Sequence, residues 1–128
     1  MNTGGTLGQL GVTIGRGTSD NAVNVGWGTV ALNSSANDLT TGTWYHVAHV
    51  RENTGGTWTS TLYINGAPSG TPQTGIATSP GTQLSSSLGR CGDFSGLYFS
   101  GALDDVRIYT RALTQTEIQT LRDTPVTP

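Results

Sequence analysis

The chain has 128 residues, of which 34% are apolar and 11% charged, and its formal net charge is -2. This length suits one domain, and a composition shifted from apolar residues towards Gly, Thr and Ser favours many short strands joined by turns. The six cationic residues are all arginine and form no basic run, which argues against a nucleic-acid partner. No apolar stretch is long enough to cross a bilayer, so no membrane insertion is expected.

The first part of the chain predicts short strands separated by glycines. Residues 1–20 contain one apolar alternation but no clear strand boundary. Residues 21–33 predict either two short strands or one bent strand, because Gly26 and Gly28 flank Trp27 and mark a turn or a bulge.

The middle of the chain contains the clearest strand patterns. Residues 42–52 are rich in β-forming side chains and are followed by an Asn-Thr-Gly-Gly turn. Asn65 and Gly66 are the strongest hairpin signal, because a type I′ turn needs positive φ at both positions. Residues 67–87 predict a long loop or a weak edge strand. Residues 58–64, before the Asn65–Gly66 turn, predict a strand. Its alternation places Trp58, Ser60, Leu62 and Ile64 on one face and Thr59, Thr61 and Tyr63 on the other.

The last part of the chain, residues 101–121, predicts a strand and then one short amphipathic helix. Thr114 and Glu117 have the spacing of a capping box, in which each side chain satisfies a backbone N–H at the start of the helix. Leu113 and Ile118 have the spacing of a hydrophobic staple. Residues 124–128 are rich in Thr and Pro and predict an extended linker or tail.

A single cysteine, Cys91, limits the redox chemistry of the chain. One cysteine excludes an intramolecular disulfide and a zinc cluster. Two interpretations remain, which are a small half-buried side chain and an intermolecular disulfide.

These motifs, "TGTWYHVAHVRE", "LYINGAPSG" and "GLYFSGALDDVRIYTRALTQTEIQTL", follow one another in an order that resembles the laminin-G-like, concanavalin A-like jelly rolls. The resemblance covers residues 20–122. Within the family, the chain is most similar to the bacterial and environmental branch. It implies an all-β jelly-roll sandwich of antiparallel strands with one short C-terminal helix. The domain is expected over residues 1–123.

The resemblance also carries expectations about single residues and about location. It implies that His46 is a buried core histidine with satisfied nitrogens. Trp44 and Trp58 are expected to pack in the core, because tryptophans at such positions more often do so. His49 lies three positions after His46 and so faces the other side of the strand, which excludes a shared metal site and predicts an exposed or interfacial side chain. The family is often extracellular or at the cell surface, although the N-terminus has no signal-peptide pattern.

One departure from the family pattern concerns the opening strands. Domains of this kind usually begin with a Phe-Asp-Gly motif and a Phe-Thr-x-x-x-Trp strand, and neither occurs here. A shortened sandwich leaves sheet edges uncovered. This predicts a homo-oligomer, most simply a dimer, unless residues 1–20 fold back to close the sheet.

The adjacent carboxylates Asp104 and Asp105 are not expected to form a catalytic pair. Adjacent strand residues face opposite ways, which predicts that Asp104 points inward with Val106 and Ile108. An inward carboxylate must be satisfied. Structural hydrogen bonding is the first interpretation, and calcium, which some relatives hold near this strand, is the second. No cofactor is required.

No catalytic constellation occurs, and the domain is expected not to be an enzyme. Glycoside hydrolysis needs two carboxyls held across a sugar, and the only two glutamates are Glu52 at a strand end and Glu117 in the helix cap. No Gly-x-Ser-x-Gly elbow and no phosphate loop is present. Sugar binding would use an exposed aromatic and nearby polar side chains, for which the candidates are Trp27, Arg90, Asp93 and Ser95.

The predicted function is therefore non-catalytic binding or adhesion, with a glycan or an extracellular protein as partner. One alternative is a structural assembly module of a surface or virion protein. The other is an accessory domain of a larger secreted enzyme.

Overall fold

The structure is a computed structural model, and it describes residues 10–14, 23–27, 30–33, 39–74, 88–89, 98–124 and 126. The described part of the chain contains two three-stranded antiparallel sheets and one helix. Sheet A contains β1 (Leu10–Ile14), β2 (Val23–Trp27) and β3 (Val30–Asn33), and sheet B contains β4 (Val47–Thr54), β5 (Thr57–Ile64) and β6 (Ala67–Thr74). The helix is α1 (Gln115–Asp123).

Sheet A shows how the start of the chain is used. All five residues of β1 pair with β2, from Leu10 opposite Trp27 to Ile14 opposite Val23. β2 pairs in turn with β3, so residues 21–33 form two strands rather than one bent strand. The first twenty residues thus contribute a strand to sheet A. Of the two alternatives left by the sequence, this favours residues 1–20 folding back onto the sheet over a shortened sandwich.

Two tight turns connect the strands of sheet B. Thr54 pairs with Thr57 across Gly55 and Gly56, and Ile64 pairs with Ala67 across Asn65 and Gly66. All four turn residues have positive φ, at 61°, 86°, 50° and 76° in chain order. This is the geometry of a type I′ turn, whose twist matches that of the flanking strands. The Asn65–Gly66 hairpin is as the sequence predicts.

The third strand of sheet B resolves the alternative left open for residues 67–87. Residues 67–74 form β6, which pairs with β5 at the outside of the β4–β5–β6 order. A register irregularity interrupts the pairing between Ser60 and Leu62. Pro68 and Pro72 fit this place, since proline lacks a backbone N–H and is confined to edge strands, strand starts and bulges.

A small apolar core joins the two sheets. Val23 of sheet A and Leu62 of sheet B are fully buried and pack together. Leu39, Val47 and Ile64 pack around them and are only partly buried. Partners in an antiparallel ladder share a face, so the inner face of sheet B carries Val47, His49, Arg51, Ser60, Leu62 and Ile64, and its outer face carries Ala48, Val50, Glu52, Thr59, Thr61 and Tyr63.

Two predictions about the core and the strands are wrong. Trp44 is not a core residue, because it lies ahead of the first residue of β4 and is 66% exposed. Residues 102–109 adopt no strand and belong to no ladder. Apolar alternation alone therefore does not create a strand at this position, since a strand also needs a hydrogen-bonding neighbour.

The helix begins as its sequence predicts. The Thr114 hydroxyl accepts the N–H of Glu117 at 3.3 Å, and the Glu117 carboxylate accepts the N–H of Thr114 at 2.8 Å. This reciprocal pair is the capping box. Ile118, four positions into the helix, is fully buried. No helix in the described ranges is long and apolar enough to span a membrane.

Candidate functional site

The Asn65–Gly66 turn contacts both the residue before β4 and helix α1. The Asn65 backbone N–H donates to the His46 carbonyl at 2.8 Å, and the His46 N–H donates to the Asn65 side-chain oxygen at 3.0 Å. The turn is thereby tied to the residue that precedes β4. The left-handed φ of Asn65 lets its short side chain reach this position.

Helix α1 docks on the same turn through three side chains. Gln115 and Gln119 donate amide hydrogen bonds to the Gly66 carbonyl at 3.1 and 3.2 Å. Arg122 donates to the Asn65 carbonyl at 2.7 Å. A Cβ atom on Gly66 would lie 2.7 Å from Cγ of Gln119. Only glycine therefore permits both the turn conformation and the close approach of the helix.

His46 is half-buried beside this junction. Burial lowers the pKa of its ring, and the guanidinium groups of Arg107 and Arg122 lower it further. The ring is thus neutral at pH 7. Its Nδ1 atom is buried and has no hydrogen-bond partner among the described residues. The expectation of a core histidine with satisfied nitrogens is therefore wrong for this atom, because the contacts of His46 to the turn use its backbone.

The docked helix leaves a cleft on the outer face of sheet B. The segment 112–115, just before and at the start of α1, forms one wall, and the outer faces of β4 and β5 form the other. The cleft has a volume of about 210 Å³. Its lining residues are Val50, Glu52, Thr59, Thr61, Tyr63, Ala112, Leu113, Thr114 and Gln115.

Hydroxyl groups and one carboxylate dominate the polar lining of the cleft. Thr59, Thr61 and Tyr63 alternate along β5, and none of the side-chain hydrogen bonds among the described residues uses their hydroxyls. Glu52 is exposed at the cleft and belongs to no ion pair within that part of the chain. The cleft thus offers uncommitted donors, acceptors and an aromatic ring, whereas the Thr114 hydroxyl is committed to the helix cap.

Glu117, the second glutamate of the chain, pairs with Arg111 and is not among the lining residues of the cleft. Both carboxylate oxygens of Glu117 bind the Arg111 guanidinium, at 2.6 and 3.0 Å. These bonds, together with the N–H and hydroxyl of Thr114, lower the pKa of Glu117 to about 2. A carboxyl with this pKa has no proton to give near neutral pH, so Glu117 cannot serve as a general acid.

The inner face of sheet B carries an unusual row of polar groups between the sheets. Burial, and to a smaller extent Arg51, lowers the pKa of His49 to about 4. The His49 Nε2 and the Ser60 hydroxyl are buried and have no hydrogen-bond partner in the described ranges. Arg51 lies over the half-buried Trp58 ring at 4.5 Å, a cation–π arrangement. The expectation of an exposed or interfacial His49 is wrong, because its strand position faces sheet A beside Leu62.

The carboxylates of Asp104 and Asp105 differ in their contacts, but not as the strand pattern predicts. Asp104 is exposed rather than inward, and among the described residues its side chain accepts only the N–H of Asp105, at 2.8 Å. Asp105 has a φ of 51°, which breaks the alternation. Its carboxylate accepts the N–H of Val126 at 3.0 Å and lies 3.6 Å from Arg107. The assignment of Asp104 as the inward residue is therefore wrong.

A metal site at Asp104 remains an expectation from the family resemblance. Within the described ranges, no three His, Cys, Asp or Glu side chains converge as a metal site would require. Among the described residues, Asp104 is a single exposed carboxylate that already accepts a backbone N–H, whereas a calcium ion takes six to eight oxygens.

Of the sugar-binding candidates chosen from the sequence, Trp27 is the one whose backbone lies among the described residues. Trp27 ends β2 and pairs with Leu10 and Val30. Arg90, Asp93 and Ser95 lie outside the described residues, as does Cys91. The cleft residues on β5 had a visible signal, namely the Thr-x-Thr-x-Tyr alternation on the face opposite Leu62.

Two antiparallel sheets joined by an apolar core, with a helix docked on the Asn65–Gly66 turn, define this protein as a β-sandwich. The chain belongs to the concanavalin A-like lectin/glucanases superfamily, through a match to the family Laminin_G_3 over residues 2–119. The match begins well before residue 20, where the resemblance seen in the sequence begins. Residues 2–20 are thus part of the family domain rather than a segment outside it.

One solved structure is similar to this chain over most of its length. It is the S-layer domain-containing protein (residues 221–444) from Clostridium thermocellum ATCC 27405, at 28% sequence identity and a TM-score of 0.53. The alignment covers 94% of this chain and 59% of that one. The chain therefore spans little more than half of the solved relative. None of the curated proteins compared with it matches.

Proposed function

We propose that this domain is a non-catalytic binding module that recognises extracellular glycans in the cleft on the outer face of sheet B. The observation that carries the proposal is the lining of the cleft. Three hydroxyl side chains on β5 and the Glu52 carboxylate face one cavity and are not committed to hydrogen bonds among the described residues. Sugar hydroxyls are donors and acceptors at once, and they suit such a lining.

The size and the aromatic content of the cleft also suit a sugar. Its volume of about 210 Å³ is below the roughly 300–1,000 Å³ of typical small-molecule pockets. A cleft of this size fits one sugar residue of a longer chain better than a whole large ligand. Tyr63 supplies a ring with a polar tip, which contributes both stacking area and a hydrogen bond.

The absence of catalysis is part of the proposal. Glycoside hydrolysis uses one carboxyl as a proton donor and a second as nucleophile or base. Glu117 is held ionised by Arg111, which leaves Glu52 as the one carboxylate of the cleft lining. A single carboxylate can bind a sugar hydroxyl but cannot fill both catalytic roles. Purified protein should therefore release no reducing ends from any polysaccharide that it binds.

An extracellular or cell-surface location and a jelly-roll strand order belong to the same proposal. The family and the S-layer domain neighbour both support a surface location. No cofactor is needed for binding through hydroxyls and one carboxylate. Calcium at Asp104 is a minor alternative, and it is tested by adding calcium or a chelator to the binding assay.

The proposal is tested on an immobilised array of hexose, N-acetylhexosamine and uronate oligosaccharides. The wild type should bind a subset of them, and Glu52→Gln and Thr61→Val should each weaken that binding at least about tenfold, since each removes a charge-assisted or a neutral hydrogen bond. Asp104→Asn is the control for loss of an exposed carboxylate, and Thr57→Val is the control for loss of a threonine hydroxyl on β5.

Two outcomes would reject the cleft as the site. The first is that no oligosaccharide binds, with or without calcium. The second is that the control variants lose binding as much as the cleft variants do, which would place recognition elsewhere on the molecule.

A second candidate function is favoured by one specific observation. Exposed apolar side chains in the segment before α1, including Ile108 at 94% exposure, suit a structural assembly module of a surface or virion protein. A role as an accessory domain of a larger secreted enzyme is compatible with the 59% coverage of the solved neighbour, but no residue contact favours it.

A further inference from the structure

The cleft beside α1 is lined by one charged side chain, and its charge is negative. Of the strand residues on the outer face of β4 and β5, Glu52 is the one that carries a charge. The opposite wall, residues 112–115, contains only Ala, Leu, Thr and Gln. A cleft lined by charge of one sign attracts ligands of the opposite sign.

The arginines in the described ranges have their contacts away from the cleft. The four guanidinium groups contact a tryptophan ring and three carboxylates, in the pairs Arg51–Trp58, Arg107–Asp105, Arg111–Glu117 and Arg122–Asp123. None of these arginines is among the lining residues. An anionic sugar would therefore meet no cation in this lining and would face the Glu52 carboxylate, which repels it.

The start of α1 is the other place beside the cleft where an anion could be held. The N–H groups and the dipole of a helix N-terminus favour negative charge. Here the capping box supplies that charge from within the chain, because the Glu117 carboxylate accepts the Thr114 N–H at 2.8 Å. The Thr114 hydroxyl in turn accepts the Glu117 N–H at 3.3 Å. The helix start is thus already provided with a carboxylate.

Glu52 has neighbours that suit a ligand with hydrogen-bond donors and positive charge. It pairs with Thr59 across the ladder, and Thr61 follows on the same face. An ammonium group has three donors and no acceptor, so it can donate to the carboxylate and to threonine hydroxyls at once. Tyr63 lies four residues beyond Thr59, about 14 Å along an extended strand, and its ring is therefore placed for a different part of the ligand.

We infer that the cleft prefers glycans that contain a 2-amino-2-deoxyhexose with a free ammonium group, and that Glu52 sets this preference over neutral and anionic sugars. The inference rests on the proposed glycan binding in this cleft and adds the class of sugar. A bound ammonium forms a charge-assisted hydrogen bond with Glu52. Acetylation of the amine removes the charge and with it the preference.

The preference is tested by calorimetric titration at low salt and about pH 6.5, where an aliphatic amine is protonated. The ligands are tetrasaccharides of glucose and of galactose, each beside its 2-amino-2-deoxy and its uronate counterpart of the same linkage. An amino sugar carries an ammonium where the hexose carries a hydroxyl, so its size is nearly unchanged. The amino form should bind about fivefold more tightly than the hexose, as an exposed ion pair allows, and the uronate should bind most weakly. High salt should reduce the difference.

Two variants with the same change in net charge assign the preference to a residue. In Glu52→Gln the amino and hexose forms should bind within about twofold of each other, whereas Asp104→Asn, outside the cleft, should keep the wild-type ratio. Equal loss of the ratio in both variants would show that only the net charge of the protein matters, and would overturn the role of Glu52. A wild type that binds hexoses or uronates as tightly as amino sugars overturns the preference but leaves glycan binding in place. Absence of binding to every tetrasaccharide overturns both.

Discussion

His49 links the stability of the fold to pH, and its effect can be predicted from its position. The ring lies on the inner face of sheet B opposite Leu62, where burial lowers its pKa from 6.5 to about 4. In the unfolded chain the ring takes up a proton near pH 6.5, whereas in the folded protein it remains neutral until about pH 4. Lowering the pH between these values therefore favours the unfolded state.

The size of this effect follows from the two pKa values. A difference of 2.5 between 6.5 and about 4, at about 1.4 kcal/mol for each tenfold change in proton affinity, gives a loss of about 3 kcal/mol. This is a large part of the roughly 5–15 kcal/mol by which domains are stable. This loss of folding free energy should be complete near pH 4, and above pH 6.5 the neutral His49 ring costs no stability.

The assay is urea unfolding of dilute protein at several pH values between 7 and 4.5. The wild type should lose stability steadily over this range. His49→Leu should show a smaller slope, and at pH 7 it should be at least as stable as the wild type, since the buried Nε2 has no partner in the described ranges. The carboxyl of Glu117, whose pKa is lowered from 4.5 to about 2, loses its contribution only below this window.

His46 is the main competing group in the same range of pH. Its pKa is also lowered by burial, so it adds to the slope with the same sign and should remain in the His49→Leu variant. NMR titration of the two imidazole rings separates their contributions. A His49 ring that titrates near 6.5 in the folded protein, or a slope unchanged in His49→Leu, would refute the reasoning.

Two further predictions concern backbone conformation. Gly66→Ala should destabilise the fold by about 2–3 kcal/mol in thermal unfolding, because a Cβ meets Gln119 at 2.7 Å in addition to the left-handed φ. Gly55→Ala, with a similar φ and nothing within 4 Å, should cost only about 1 kcal/mol, and equal costs would disprove the close approach of the helix. Asp105→Ala should cost about 1–2 kcal/mol, since alanine disfavours the left-handed region and removes an acceptor. Asp104→Ala should cost less, and the reverse order in urea unfolding would restore the inward assignment of Asp104.

The features that the sequence predicts well are those set by neighbouring residues. The Asn65–Gly66 turn follows from positive φ at two adjacent positions, and the helix cap follows from Thr114 and Glu117 three positions apart. Both form within a few residues, so their local chemistry decides them. The family match extends this to a β-sandwich, because the order of motifs carries information on the whole domain.

The features that the sequence misses depend on distant contacts. Gln115 reaches the Gly66 carbonyl across 49 residues of chain, and the Thr-x-Thr-x-Tyr alternation on β5 does not predict that the start of α1 lies beside it. The alternation of Val106 and Ile108 suggests a strand, but the described chain offers these residues no ladder and Asp105 bends the backbone. Trp44 lies ahead of Val47, the first ladder residue of β4, and does not enter the core.

The most direct test of the proposed function is an NMR titration of isotopically labelled protein with an oligosaccharide that the array identifies. Glycan binding in the cleft predicts shifts concentrated at the amides of Thr59, Thr61, Tyr63 and the segment 112–115, with no change at the Gly55–Gly56 turn. Those shifts should be absent in Glu52→Gln at the same sugar concentration. Shifts confined to residues outside the cleft, or equal shifts in Glu52→Gln, would contradict the assignment of this cleft as the binding site.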